Sequence, residues 1–125
     1  MEKQSIAIVG LGTMGAAFLE ELLGQSNESV EIVAVSEINN TAGLALAKSH
    51  GIKSLSIDEL TLMDGKLNIL FDLTGEEAVR KEIRDKLRAA GNLHTIVATD
   101  NIARMIWALI ASGAELPSTH GYAGY

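Results

Sequence analysis

Gly10, Gly12 and Gly15 stand at Gly-x-Gly-x-x-Gly spacing, directly behind the apolar run Ile6-Ala7-Ile8-Val9 and directly ahead of helix-forming residues that continue to Leu23. The stretch reads as a buried strand turning sharply into a helix, and the chemistry such a turn offers is phosphate binding. Gly10 permits the turn, Gly12 lets a pyrophosphate approach the backbone without meeting a Cβ, and Gly15 lets the helix pack closely on its strand. The exposed amides of this loop, through Leu11, Thr13 and Met14, then face the anion together with the positive end of the helix dipole.

Glu37 is the second group with a chemical reading. It follows the apolar segment Val30-Glu31-Ile32-Val33-Ala34-Val35 and lies 22 residues beyond Gly15. A carboxylate about 20 residues past a glycine turn accepts hydrogen bonds from the ribose hydroxyls of a dinucleotide. A 2′-phosphate would meet that carboxylate at close range, and Ser36, Asn39 and Asn40 bring no positive charge to offset it. NAD is therefore expected in preference to NADP.

Other chemistry-bearing residues have plainer readings. Asp72 either holds a phosphate-loop amide or water, or satisfies backbone N–H groups where its strand ends. Asp100 is either catalytic or the N-cap of the helix that follows it. His50, His94 and His120 form no constellation, no spacing resembles a metal site, and no Ser–His–Asp arrangement can be assembled. The catalytic residues stay unknown.

Positioning these groups requires alternating strands and helices. After helix 14–23, closed by Gly24, and strand 30–35, Asn39, Asn40 and Thr41 form a cap cluster for a helix 41–50 that Gly51 ends, and 52–55 forms a short strand. Ser56 and Glu59 match a capping box for a short helix reaching about Met63. Strand 67–73 is followed by Thr74-Gly75-Glu76-Glu77, a second capping-box match, opening helix 76–90 with inner stripe Val79, Ile83 and Leu87. Glu77 with Lys81 and Glu82 with Lys86 form (i, i+4) pairs on its wet side. Strand 94–98 precedes a helix 101–112 with Ile102, Met105, Ile106, Leu109 and Ile110 as its stripe. Trp107 falls off that stripe, either covering the sheet edge half-buried or anchoring a partner. The alternation predicts an α/β fold with a doubly wound parallel sheet of order near 3-2-1-4-5, residues 1–113, and a tail 114–125. Ligands of such sheets bind where the strand order reverses, here between the first and fourth strands.

Three segments carry a family resemblance: Ile6 to Gly15, Ile32-Val33-Ala34-Val35-Ser36-Glu37-Ile38-Asn39, and Ile69-Leu70-Phe71-Asp72-Leu73-Thr74-Gly75. With them, residues 6–110 resemble the amino-terminal Rossmann domain of homoserine dehydrogenase-like and Gfo/Idh/MocA-type oxidoreductases. The resemblance implies that Gly10, Gly12 and Gly15 hold the pyrophosphate, Glu37 the ribose, and Thr74 with Gly75 the backbone turn beside adenosine and phosphates. Those families usually place a lysine after the fifth strand, where this chain reads Ala98-Thr99-Asp100-Asn101. They also add a substrate domain, so the resemblance implies the cofactor half of a dehydrogenase, inactive alone. Residues 71–80 and 103–109 also resemble nucleotide-fold modules of bacterial signalling proteins, which implies an alternative: a nucleotide-sensing module without turnover.

Composition narrows the partners. With 125 residues and 47% hydrophobic content, the chain suits one compact domain. A net charge of −6 without a basic cluster argues against a nucleic-acid backbone. No apolar run approaches about 18 residues, so no membrane span is expected. No signal peptide is visible, and the absence of cysteine suits a cytoplasmic location. The expected partners are a dinucleotide and, through the last helix, a substrate domain or a second copy.

Overall fold

Residues 2–25 and 28–111 are described by a computed structural model. Five strands, β1 (Gln4–Val9), β2 (Val30–Ser36), β3 (Lys53–Ser54), β4 (Ile69–Asp72) and β5 (Ile96–Ala98), alternate with five helices. The helices are α1 (Thr13–Gly24), α2 (Ala42–Ser49), α3 (Ile57–Thr61), α4 (Glu77–Ala89) and α5 (Asp100–Ile110). The strands form one sheet in the order β3-β2-β1-β4-β5, every neighbouring pair parallel. This is the doubly wound order that the alternation predicts.

β1 sits mid-sheet and is buried on both faces, which is why its sequence is a continuous apolar run rather than an alternation. Ile6 and Ile8 join Phe18, Leu19, Leu44 and Ala103 in the core beneath α1, α2 and α5. Ala7 and Val9 join Leu60, Ile83 and Leu87 beneath α3 and α4. The rings of Phe18 and Phe71 meet tilted, with centroids 5.1 Å apart, the edge-biased geometry that aromatic quadrupoles favour.

Helix ends follow local chemistry. Thr41 caps α2 by accepting from the Leu44 amide at 3.1 Å, and Gly51, at φ +72°, takes the left-handed conformation that ends it. Ser56 and Glu59 make the full capping box of α3: the Ser56 hydroxyl accepts from the Glu59 amide and the Glu59 carboxylate from the Ser56 amide.

The second capping box does not form. α4 begins at Glu77, after an N-cap at Glu76 that makes no side-chain bond. The Thr74 hydroxyl donates to the buried Asp72 carboxylate at 2.7 Å and, so oriented, accepts from the Glu76 amide at 3.2 Å rather than from the Glu77 amide that the box requires. On the outer face of α4, Lys86 pairs with Glu82 at 2.6 Å as expected, but Lys81 pairs with Asp85 at 2.7 Å rather than with Glu77. Lys86 also reaches Asp58 at 3.0 Å and so ties α4 to α3.

α5 differs more. Its N-cap is Thr99, and Asp100 is the first helical residue, buried beside Arg104 with Oδ2 to Nε 3.9 Å, so the expected N-cap role for Asp100 does not hold. Ala103 faces the sheet, with Ile106 and Trp107 packed on the same core; Trp107 is half-buried against the core rather than on the outer side. Ile102 (42% exposed), Met105 (55%) and Leu109 (78%) from the predicted stripe look outward. At 100° per residue the apolar positions of α5 span more than half its circumference, and one sheet can cover only the part centred on the small Ala103. The tail 114–125 lies outside the described residues. No helix among those described is long and apolar enough to cross a membrane.

Candidate functional site

Consecutive helices leave the carboxyl ends of β1 and β4 on opposite faces of the sheet, so the two chain ends diverge and leave a gap between them. The gap is a cleft of about 460 Å³. Gly10, Gly12, Thr13 and Met14 supply one wall, Ser36 to Asn39 and Thr41 a second, and Leu73, Thr74, Glu76 and Val79 a third, with Ile57 completing it.

The three glycines do different work. Gly10 adopts φ +92°, and a Cβ there would lie 2.8 Å from the Thr74 Cγ2 and 3.0 Å from the Thr74 amide nitrogen, so the β4–α4 turn rests directly on it. A Cβ on Gly15 would sit 1.9 Å from the Gly10 carbonyl oxygen, which makes Gly15 the packing contact between α1 and the loop. Gly12 is neither: nothing lies within 4 Å of its absent Cβ. It is the N-cap of α1, no side chain caps the helix there, and Thr13 and Met14 of the first turn line the cleft.

Glu37 reaches across from β2 to this loop. Its Oε1 accepts from the Leu11 amide at 2.6 Å and its Oε2 from the Asn39 amide at 3.0 Å. The Gly10 amide donates to the Ser36 carbonyl at 2.9 Å, so the loop is tied to the end of β2 by two consecutive residues on each side. A carboxylate offers about four acceptor sites, and these amides take two. The fixed carboxylate therefore keeps acceptor capacity beside the loop.

Gly10, Gly12, Thr13, Met14, Glu37 and Thr74 line the cleft together. Leu11 departs from the expectation: it does not line the cleft, its side chain is buried in the core, and its amide is already donated to Glu37 instead of facing an anion. Gly15 lies behind the loop, and Gly75, at φ +70°, shapes the β4–α4 turn without lining the cleft. Sequence reasoning missed Ile38, Ile57, Glu76 and Val79 as lining residues. Ile38 carried a signal: an apolar side chain directly after the strand-end acid, 96% exposed and otherwise without a reason to be apolar. Ile57 and Val79 read as helix-packing residues, and only the crossing of α3 and α4 over β4 brings them to the rim.

The charge inventory is one-sided. Glu37 and Glu76 line the cleft, while among the described residues no lysine, arginine or histidine does. Asp72 accepts from the Thr74 amide at 3.1 Å, the second of the two readings its sequence position allowed. Among the described residues no group of three histidine, cysteine, aspartate or glutamate side chains could hold a metal ion.

A parallel 3-2-1-4-5 sheet with a glycine turn at its centre defines a Rossmann-like domain, and solved structures share that fold. Scyllo-inositol dehydrogenase from Lactobacillus casei matches with a TM-score of 0.58 at 16% identity, covering 88% of this chain and 34% of that one. Homoserine dehydrogenase from Thiobacillus denitrificans matches at 0.57 and 22% identity, covering 88% of this chain and 26% of that one. The S. aureus homoserine dehydrogenase gives 0.56 at 18% identity, with 98% and 33% covered. The likeness to inositol and homoserine dehydrogenases that the three segments implied is thus present in the fold. This chain spans 26–34% of the length of those enzymes. No protein-family model and no curated protein matches it.

Proposed function

We propose that the chain is an NAD(H)-binding domain and that it serves as the cofactor half of a dehydrogenase, with the substrate carried by a further unit on the same polypeptide or on another. The observation that carries the reading is Glu37: a carboxylate held by two backbone amides, beside an open glycine, in one cleft. The pyrophosphate would lie over Gly12 and the first turn of α1, where uncapped amides are the donors. The adenosine ribose would take the remaining acceptor sites of Glu37. Ile38, Ile57 and Val79 would give the adenine apolar cover, and a volume near 460 Å³ lies within the roughly 300–1,000 Å³ range of small-molecule sites.

NAD is preferred over NADP in this reading because a 2′-phosphate would face Glu37 with no cationic side chain from the described residues on the lining. Bound nicotinamide would supply hydride transfer; this chain's residues would bind and orient it. The test is calorimetric titration with NAD, NADH and NADP. NAD and NADH should bind, and NADP should bind at least about tenfold more weakly, a difference of about 1.4 kcal/mol. Equal affinity for NADP would remove the assigned role of Glu37, and no binding of any of the three would remove the reading.

A further inference from the structure

We propose that Asp72 is a positioning residue of the cleft, acting through Thr74; this rests on the NAD(H) reading above. Asp72 is fully buried at the end of β4, opposite Val9 of β1, and neither it nor its oxygens line the cleft. Its Oδ1 accepts twice from one residue, from the Thr74 amide at 3.1 Å and from the Thr74 hydroxyl at 2.7 Å. Its Oδ2 faces Arg80 Nε at 3.8 Å. The Thr74 hydroxyl in turn accepts from the Glu76 amide at 3.2 Å.

Both hydrogen-bonding functions of that hydroxyl are consequently engaged inside the turn, and its rotamer is set. With Oγ1 drawn toward Asp72, Cγ2 is left on the Gly10 side, where it occupies the space a Gly10 side chain would need. Thr74 therefore presents a methyl group and backbone to the glycine loop rather than a hydroxyl to the ligand. The loop is held from the β2 side by Glu37 and from the β4 side by this Thr74 wall. Among the described residues Asp72 is the side chain that fixes the second hold, since the other bond of the Thr74 hydroxyl is to the Glu76 backbone amide.

Asn at position 72 cannot replace the carboxylate. Turning its amide nitrogen toward Thr74 sets donor against donor, and turning it toward Arg80 does the same there. Thr74→Val keeps the shape of Thr74 and deletes the hydroxyl, while Thr74→Ser keeps the hydroxyl and deletes the methyl. NAD titration and amide hydrogen exchange of the nucleotide-free protein are read on Asp72→Asn, Thr74→Val, Thr74→Ser and the double variant. Asp72→Asn and Thr74→Val should each weaken NAD about five- to tenfold and the double variant no more than either alone, since two residues acting through one contact are non-additive. Exchange of the Gly10 amide should quicken in both. Thr74→Ser keeps the Asp72 bond but loses the methyl that faces Gly10, so its NAD affinity and Gly10 amide exchange should lie between those of wild type and Thr74→Val.

If Asp72→Asn does not fold, Thr74→Val against Thr74→Ser still decides. Lowered melting temperature with unchanged NAD affinity and Gly10 exchange would make the contact merely structural and overturn the proposal, as would additive losses in the double variant. Wild-type protein that fails to bind NAD would defeat the functional reading, while the exchange pattern, which needs no nucleotide, would still report on the Asp72–Thr74 hold.

Discussion

Replacing Gly12 by alanine separates a glycine kept for a ligand from a glycine kept for the fold. Its backbone, at φ −74° and ψ −157°, lies outside the left-handed region, and no heavy atom stands within 4 Å of a new Cβ. Nothing in the domain therefore opposes the methyl group. Removing glycine's freedom from the unfolded chain favours the variant by about 0.4–1 kcal/mol, but alanine is a poorer N-cap than glycine by a comparable amount, so the two offset each other. For a chain of this size the melting temperature should therefore stay within roughly 4 °C of wild type. The same methyl projects where a phosphate oxygen must come within about 3 Å of the backbone amides. Losing one such charge-assisted hydrogen bond costs about 1.5–3 kcal/mol, roughly a 10- to 150-fold rise in Kd. Gly15→Ala is the opposite case, because its Cβ would sit 1.9 Å from the Gly10 carbonyl oxygen. That clash is with backbone, so overpacking of at least about 3 kcal/mol is expected. Differential scanning calorimetry and NAD titration on both variants check the pair. A Gly12→Ala protein that binds NAD like wild type would refute the pyrophosphate placement, and one that melts well below wild type would refute the reading of Gly12 as unconstrained.

Glu37→Ala should weaken NAD by about tenfold or more while leaving NADP affinity unchanged or improved, since it removes both the diol acceptor and the group that repels a 2′-phosphate; paired titrations measure the ratio. Lys86 links Glu82 and Asp58, and those partners hold its ammonium above the ordinary value of 10.5. Its stabilising contribution is thus fully present below pH 10.5 and lost as the pH rises through the raised value, so the melting temperatures of wild type and Lys86→Met should converge in alkaline buffer, and also at high salt.

The sheet order was legible because the central strands β1 and β4 are largely apolar runs and the crossover helices carry start or stop signals: Thr41 and Gly51 around α2, Ser56 with Glu59 ahead of α3. Those signals are local, and local sequence carries them. What failed was non-local. The capping box at Thr74 was lost to Asp72, a competitor whose burial no spacing reveals. α5 rotated away from its predicted stripe because Ala103, the smallest candidate, allows the closest approach to Phe71 and Ala98. At the cleft, the glycines and Glu37 were legible as a motif, while Ile57 and Val79 belong to it only through the packing of two helices on the far face of the sheet.

The one-sided charge of the cleft makes a further consequence testable. Proteins that hold phosphate with lysine or arginine lose affinity as salt rises, because counterions compete for the same charges. Here the lining offers backbone amides and two carboxylates, Glu37 and Glu76, on a chain of net charge −6. Amide dipoles at contact range are little affected by ions whose screening length is about 10 Å at 0.1 M, whereas the longer-range repulsion between an anionic ligand and the acidic protein is screened strongly. Raising ionic strength from about 0.01 to 0.3 M shrinks the Debye length from roughly 30 to 6 Å. The affinity for NADH, the more negative of the two redox forms, should therefore hold steady or improve by a few-fold over that range, and NAD should change less. Titrations at four salt concentrations measure the slope. A steep loss of affinity with salt would mean that cationic side chains hold the phosphates, and the amide-only account of the glycine loop would have to be abandoned.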